Sequence, residues 1–115
     1  MNINEISLAY NVPVDCIQDF ENQGFFDEVK QINGKKIYEE KDIQKLSFLM
    51  TLKNVGMSIQ DMKKYIQYIS EGDSTLSQRI DMLTRYRQAL LEKAHTCYKS
   101  IDILDYFIYQ MKTKQ

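Results

Sequence analysis

Residues able to do chemistry of their own are few in this chain of 115. It has two cysteines, Cys16 and Cys97, 81 positions apart, and one histidine, His95. Such a pair does not make the disulfide framework of a small secreted domain, and a lone histidine cannot anchor a multi-histidine metal site. No nucleophile-base pair or metal-ligand cluster is recognisable, so neither hydrolytic chemistry nor a bound cofactor is expected. The remaining polar chemistry is charge. Residues 1–70 carry eight Lys, no Arg and ten acids, net −2, whereas residues 71–115 carry seven Lys+Arg and six acids, net +1. Neither half has the basic footprint of a typical nucleic-acid binder.

The elements that must position these groups come from a folding composition: 43% apolar, 27% charged, eight Tyr and five Phe, with no low-complexity tract. This is one domain's worth of chain. Apolar runs such as Phe48-Leu49-Met50 stay far below the ~18 residues of a membrane helix. The polar start Met1-Asn2-Ile3-Asn4-Glu5 is not a signal peptide, so a cytoplasmic protein is expected.

From Asn4, a capping residue followed by Glu5, the positions of Ile6, Ala9 and Tyr10 predict a short first helix. Asn11-Val12 makes a tight turn. From Pro13 a second helix carries Val14, Ile17 and Phe20 on one face, and Gly24 sits where a left-handed terminus is wanted. Two short helices joined in this way form a helix-turn-helix. Phe25 to Tyr38 is β-compatible and flanks Asn33-Gly34, the dipeptide of a type I′ hairpin, which predicts a small ribbon or wing. A third helix is expected over Glu40–Val55, with Ile43, Leu46, Leu49, Met50 and Val55 on one stripe and Gly56 as its stop. Ser58 opens a fourth, carrying Met62, Tyr65, Ile66 and Ile69 to Gly72.

The last segment is the most regular. Leu76, Ile80, Leu83, Arg87, Leu90, Ala94, Cys97, Ile101, Leu104, Ile108 and Met111 alternate steps of four and three, which is five heptads. A helix over about 75–112 would be roughly 57 Å long, more than the width of a ~70-residue domain, so its seam calls for a partner helix. The alternative is a helix packed along its own domain. A second copy gives a two-fold dimer, and antiparallel pairing would bring the chains close at Ala94. Arg87 in the seam must snorkel or pair with an acid such as the partner's Glu92. Cys97 reads as a small apolar seam residue, and Cys16, near a helix start, as a weaker thiol-switch candidate.

Several strings in this order resemble the MerR family of transcription regulators. Ile3 through Ala9, Val12 through Ile17 and Phe20-Glu21-Asn22-Gln23-Gly24-Phe25-Phe26 are similar to its opening. Asn33-Gly34-Lys35-Lys36-Ile37-Tyr38 looks like its wing, Asp42-Ile43-Gln44-Lys45-Leu46 like its third helix, and Val55-Gly56-Met57-Ser58-Ile59 like the start of its fourth. Gly72-Asp73-Ser74-Thr75-Leu76, with Arg79 and Leu83, resembles the start of its dimerisation helix. The resemblance implies a mainly α protein: a winged helix-turn-helix DNA-binding domain over 1–72, then a dimerisation helix over 73–115 forming an antiparallel coiled coil. It further implies a homodimer that binds a palindromic promoter element in double-stranded DNA, with RNA polymerase a candidate further partner. No separate effector domain is expected, and any signal would act through the helices or another protein. Metal sensing is not expected, since Ser74-Thr75 stands where metal-sensing relatives place Cys.

DNA contacts carried over from the resemblance are Val14, Asp15, Gln18 and Asp19 on the second helix and Lys30, Lys35, Lys36 and Tyr38 on the wing. The dimer interface would use Leu76, Ile80, Leu83, Leu90, Ala94, Cys97, Ile101, Leu104 and Ile108. The second helix departs from the family, which favours cations where Asp15 and Gln18 stand and Tyr where Asp19 stands. Acids repel phosphates, yet Gln18 can pair with adenine N6 and N7, and Asp can accept from cytosine N4. Alternatively, Gln18 and Asp19 form only a solvated face, and the lysines a solvated ribbon tip. The alternative function is a dimeric interaction module that has lost specific DNA binding and acts through protein partners. Tyr98, Tyr106, Phe107 and Tyr109 suit docking against a partner's winged domain or lining a small-molecule pocket.

Overall fold

The computed structural model describes residues 1–115. Five helices and one hairpin follow in the order α1 (Ile3–Tyr10), α2 (Val14–Asn22), β1 (Lys30–Ile32), β2 (Lys35–Ile37), α3 (Glu40–Asn54), α4 (Ile59–Glu71) and α5 (Leu76–Lys112), with a 3-10 turn at Asp73–Thr75. They form two compact units, Met1–Ile66 and Gln67–Gln115. No helix is long and apolar enough to cross a membrane.

In the first unit, α1 and α2 make the helix-turn-helix. The cap of α1 is Asn2 rather than Asn4: its side chain accepts from the Glu5 amide at 2.9 Å, and the Glu5 carboxylate accepts from the Asn2 amide at 3.1 Å. This capping box satisfies two donors that would otherwise be orphaned at the helix start. Asn11 ends α1 in the left-handed region at φ 54°. Of the three apolar residues expected to pack from α1, only Ile6 is buried; Ala9 and Tyr10 are exposed. The helix has just over two turns, and Ile6 is its one fully covered side chain. Pro13 stands just outside α2 as its N-cap, where its missing N–H costs nothing.

The core of this unit is formed by Ile6, Val12, Ile17, Phe20, Phe25, Phe26, Tyr38, Leu46, Leu49, Leu52, Met57 and Met62, all buried. Phe20 meets Phe25 edge-on at 5.8 Å, and Phe26 meets Tyr38 likewise at 6.1 Å. The ribbon is therefore shorter than its β-compatible sequence suggests. Phe25 and Phe26 leave α2 directly into the core, and Tyr38 follows β2 into it. On α3, Leu52 is buried where the expected stripe passes it over, while Ile43 and Met50 are half-covered. The helix ends at Asn54, with Val55 as its C-cap. Its buried Asp42 accepts from the Glu39 amide at 2.9 Å and so closes the helix start. On α4, Met62 is buried, Tyr65 and Ile66 are half-covered and Ile69 is exposed.

In the second unit, Thr75 and Arg79 tie the end of α4 to the start of α5. The buried Thr75 hydroxyl lies 2.6 Å from the Tyr68 carbonyl and 2.8 Å from that of Gly72. Arg79 donates to the same Gly72 carbonyl at 3.1 Å and from Nε to the Thr75 hydroxyl oxygen at 3.2 Å. A helix leaves its last carbonyls without internal donors, and these two side chains supply them. α5 then runs for 37 residues. Along it Leu76, Ile80, Leu83, Leu90, Ala94, Cys97, Ile101, Leu104 and Ile108 are all exposed.

Candidate nucleic-acid interface

Four residues on α2 carry the expected base- and phosphate-facing chemistry. Asp15, Gln18 and Asp19 are exposed, and Val14 is half-covered. Their positions follow from the burial of Ile17 and Phe20, which fixes the rotation of α2 and turns 15, 18 and 19 outward. No cation comes from α2 itself. One arrives from α3: Lys53 lies with Pro13, Asp15, Cys16 and Asp19 around an open depression of about 510 Å³. Its Nζ donates to Cys16 Sγ at 3.2 Å and stands 6.0 Å from the centre of the Phe20 ring. Cys16 in turn contacts Met50 Sδ at 3.6 Å. Lys53 was not legible as part of this face, because it is 34 positions after Asp19 in sequence and only the packing of α3 on α2 places it there.

The wing is a two-residue hairpin. Asn33 and Gly34 both have positive φ, 54° and 78°, which is the type I′ signature. Lys30 pairs with Ile37, Gln31 with Lys36 and Ile32 with Lys35. Paired residues across an antiparallel ribbon share a face, and neighbours along a strand alternate. Lys30 and Lys35 therefore lie on one face with Ile32 and Ile37, and Lys36 lies on the other with Gln31. The three wing lysines do not form a single patch.

Lys36 is turned toward α2, where it pairs with Glu21 at 2.5 Å. The other Glu21 oxygen accepts from the Tyr38 hydroxyl at 2.7 Å. The Tyr38 ring is buried. Burial, then the Glu21 hydrogen bond and charge, then the charge of Asp42 push its phenol well above the ordinary tyrosine range. Tyr38 thus stays neutral and serves as a fixed donor. This differs from the surface role expected for it: its hydroxyl is committed inside the protein. Glu21, not singled out from the sequence, is the residue that joins wing and helix.

This arrangement defines a winged helix-turn-helix. The sequence model described as MerR HTH family regulatory protein matches residues 1–69, and the chain belongs to that family. It is 30% identical over 93 residues to the HTH-type transcriptional regulator AdhR of Bacillus subtilis (strain 168), covering 80% of this chain and 66% of that protein. It is also 30% identical over 73 residues to an HTH-type transcriptional regulator of Haemophilus influenzae, covering 64% and 54%. The match thus spans just under two thirds and about half of these two relatives. Among solved structures, it resembles HiNmlR, a MerR family regulator lacking the sensor domain and bound to promoter DNA, with a TM-score of 0.76 at 22% identity over 92% of this chain and 81% of that one. A putative MerR family regulator from Listeria monocytogenes gives a TM-score of 0.73 at 26% identity, over 94% and 83%. The relatives are named transcriptional regulators, not enzymes.

Proposed function

We propose that this chain is a homodimeric transcription regulator that binds a palindromic promoter element in double-stranded DNA. Residues 1–72 hold the DNA, through Val14, Asp15, Gln18 and Asp19 on α2 and Lys30, Lys35 and Lys36 on the wing, with Tyr38 fixing the wing from inside. Residues 73–115 join two chains through an antiparallel coiled coil of α5, and RNA polymerase is a candidate further partner. The observation that carries this reading is the wing held against α2 by Glu21, beside an α2 face left open to solvent. Affinity comes mainly from lysine–phosphate contacts. Because each contact releases counterions, binding must weaken steeply with salt.

The test is an anisotropy titration with duplexes selected by the protein from a random library, run at several salt concentrations. Lys35→Ala should lower the magnitude of the log–log salt slope by about two per dimer, one lost phosphate contact on each subunit. Asp19→Arg should raise affinity for all sequences. A second reading, an interaction module that no longer binds specific DNA, is favoured by the exposed acids Asp15 and Asp19. A chain that selects no preferred sequence even at low salt would support that reading and remove the first.

A further inference from the structure

The contact between Glu21, Lys36 and Tyr38 has an electrostatic sign that sets it apart from its neighbours. An acid placed between two DNA-facing elements should weaken binding to a polyanion, and its removal should help. Glu21, however, is largely covered, its side chain 16% exposed against 47% for Lys36. Both its oxygens are used, one by each wing residue. Lys36 comes from β2 and Tyr38 from the residue just past its end, and the two meet the same carboxylate on α2. The ribbon has only two strands of three residues each, too few to hold its own position. The Tyr38 end of the ribbon is held by its ring, edge-on to Phe26, and by backbone bonds to Met1, while the two polar bonds to Glu21 tie the ribbon to α2.

We propose that Glu21 is a positioning residue for nucleic-acid binding: it anchors the wing to α2, so that Lys36 and the exposed face of α2 are presented to DNA in one fixed arrangement. The inference rests on the DNA-binding reading above. The Lys36 ammonium has three donors; one is held by Glu21, and the other two remain for a phosphate. The carboxylate fixes where that cation stands, and its positioning effect outweighs its own repulsion of the backbone.

The decisive variant is Glu21→Gln, which keeps the size and an acceptor for Tyr38 but removes the ion pair. Titrated against the selected duplex and a mixed-sequence duplex, it should bind the selected duplex about fivefold more weakly, the scale of a partly exposed ion pair, although the protein has become less acidic. Binding to the mixed-sequence duplex should be little changed or tighter. Tighter binding to both would show that Glu21 only repels and would overturn the proposal. A second measurement needs no DNA: in the free protein, ¹⁵N relaxation should show faster motion of Gln31–Ile37 in Glu21→Gln while α2 and α3 stay rigid. An equally rigid wing would overturn the anchor by itself. If the wild-type chain binds no DNA, the relaxation result still decides the anchor, and the regulatory reading fails separately.

Discussion

At the scale of single residues, Tyr38 shows how burial decides a role that residue type leaves open. In the unfolded chain its phenol titrates near ~10. In the fold the proton is held far more tightly, by burial first and by Glu21 next. The folded state therefore keeps a proton that the unfolded state gives up. This contribution to stability is complete below pH ~10 and is lost as pH rises past it toward the folded value. Tyr38→Phe should cost about 1.5 to 3 kcal/mol at neutral pH, as expected for a hydrogen bond to a charged group. That difference from wild type should shrink in urea melts taken at successively higher pH above ~10. A constant difference across that range would mean that the phenol is not titrating with unfolding. Tyr38 and Glu21 were recognisable in sequence as parts of family-like strings, but their bond was not, because it joins residues 17 positions apart through the packing of Phe26.

Among the elements, the junction between α4 and α5 is tied by the side chains of Thr75 and Arg79. Thr75 and Arg79 serve the Tyr68 and Gly72 carbonyls; the Gly72 carbonyl also accepts from the Thr75 amide, so removing Arg79 costs its two hydrogen bonds without orphaning that acceptor. Arg79→Ala should lower stability by about 0.5 to 1.5 kcal/mol, the net value of a lost hydrogen bond. Arg79→Lys should restore little of it, since Nε and a terminal nitrogen are used together and lysine offers one point of charge. Thermal unfolding of the three proteins gives the comparison. The elements themselves were legible wherever the signal is local or periodic. Asn33-Gly34 sets the hairpin turn, Gly24 and Gly56 take the positive φ of 83° and 91° that ends or follows a helix, and the heptads of α5 fix its length almost to the residue. Boundaries went astray where one signal fits two structures. Phe25 and Phe26 suit a strand as well as a core, and Asn2 and Asn4 can both cap, with only Asn2 having Glu5 three residues on. Leu52 lies off the expected stripe of α3, and its burial depends on neighbours that the sequence does not place side by side.

For the molecule as a whole, the exposed seam of α5 is the dominant unsatisfied surface. Leu76, Ile80, Leu83, Leu90, Ile101, Leu104 and Ile108 each expose at least two fifths of their surface in the single chain. Covering them with a second α5 is the proposed dimer, and sedimentation should then give twice the chain mass at micromolar concentration. Ile101→Asp would place two unpaired carboxylates in the seam and should dissociate the dimer. A variant that remains folded and dimeric would place the interface elsewhere. The same seam ties persistence to abundance. Where association covers this helix, the melting temperature rises with the concentration of chain, and a solitary copy leaves the helix beyond Tyr86 exposed to proteases. Scarce chains would then be cleared faster than plentiful ones. Lowering synthesis would reduce the regulator more than proportionally, a response sharper than that of the gene that encodes it.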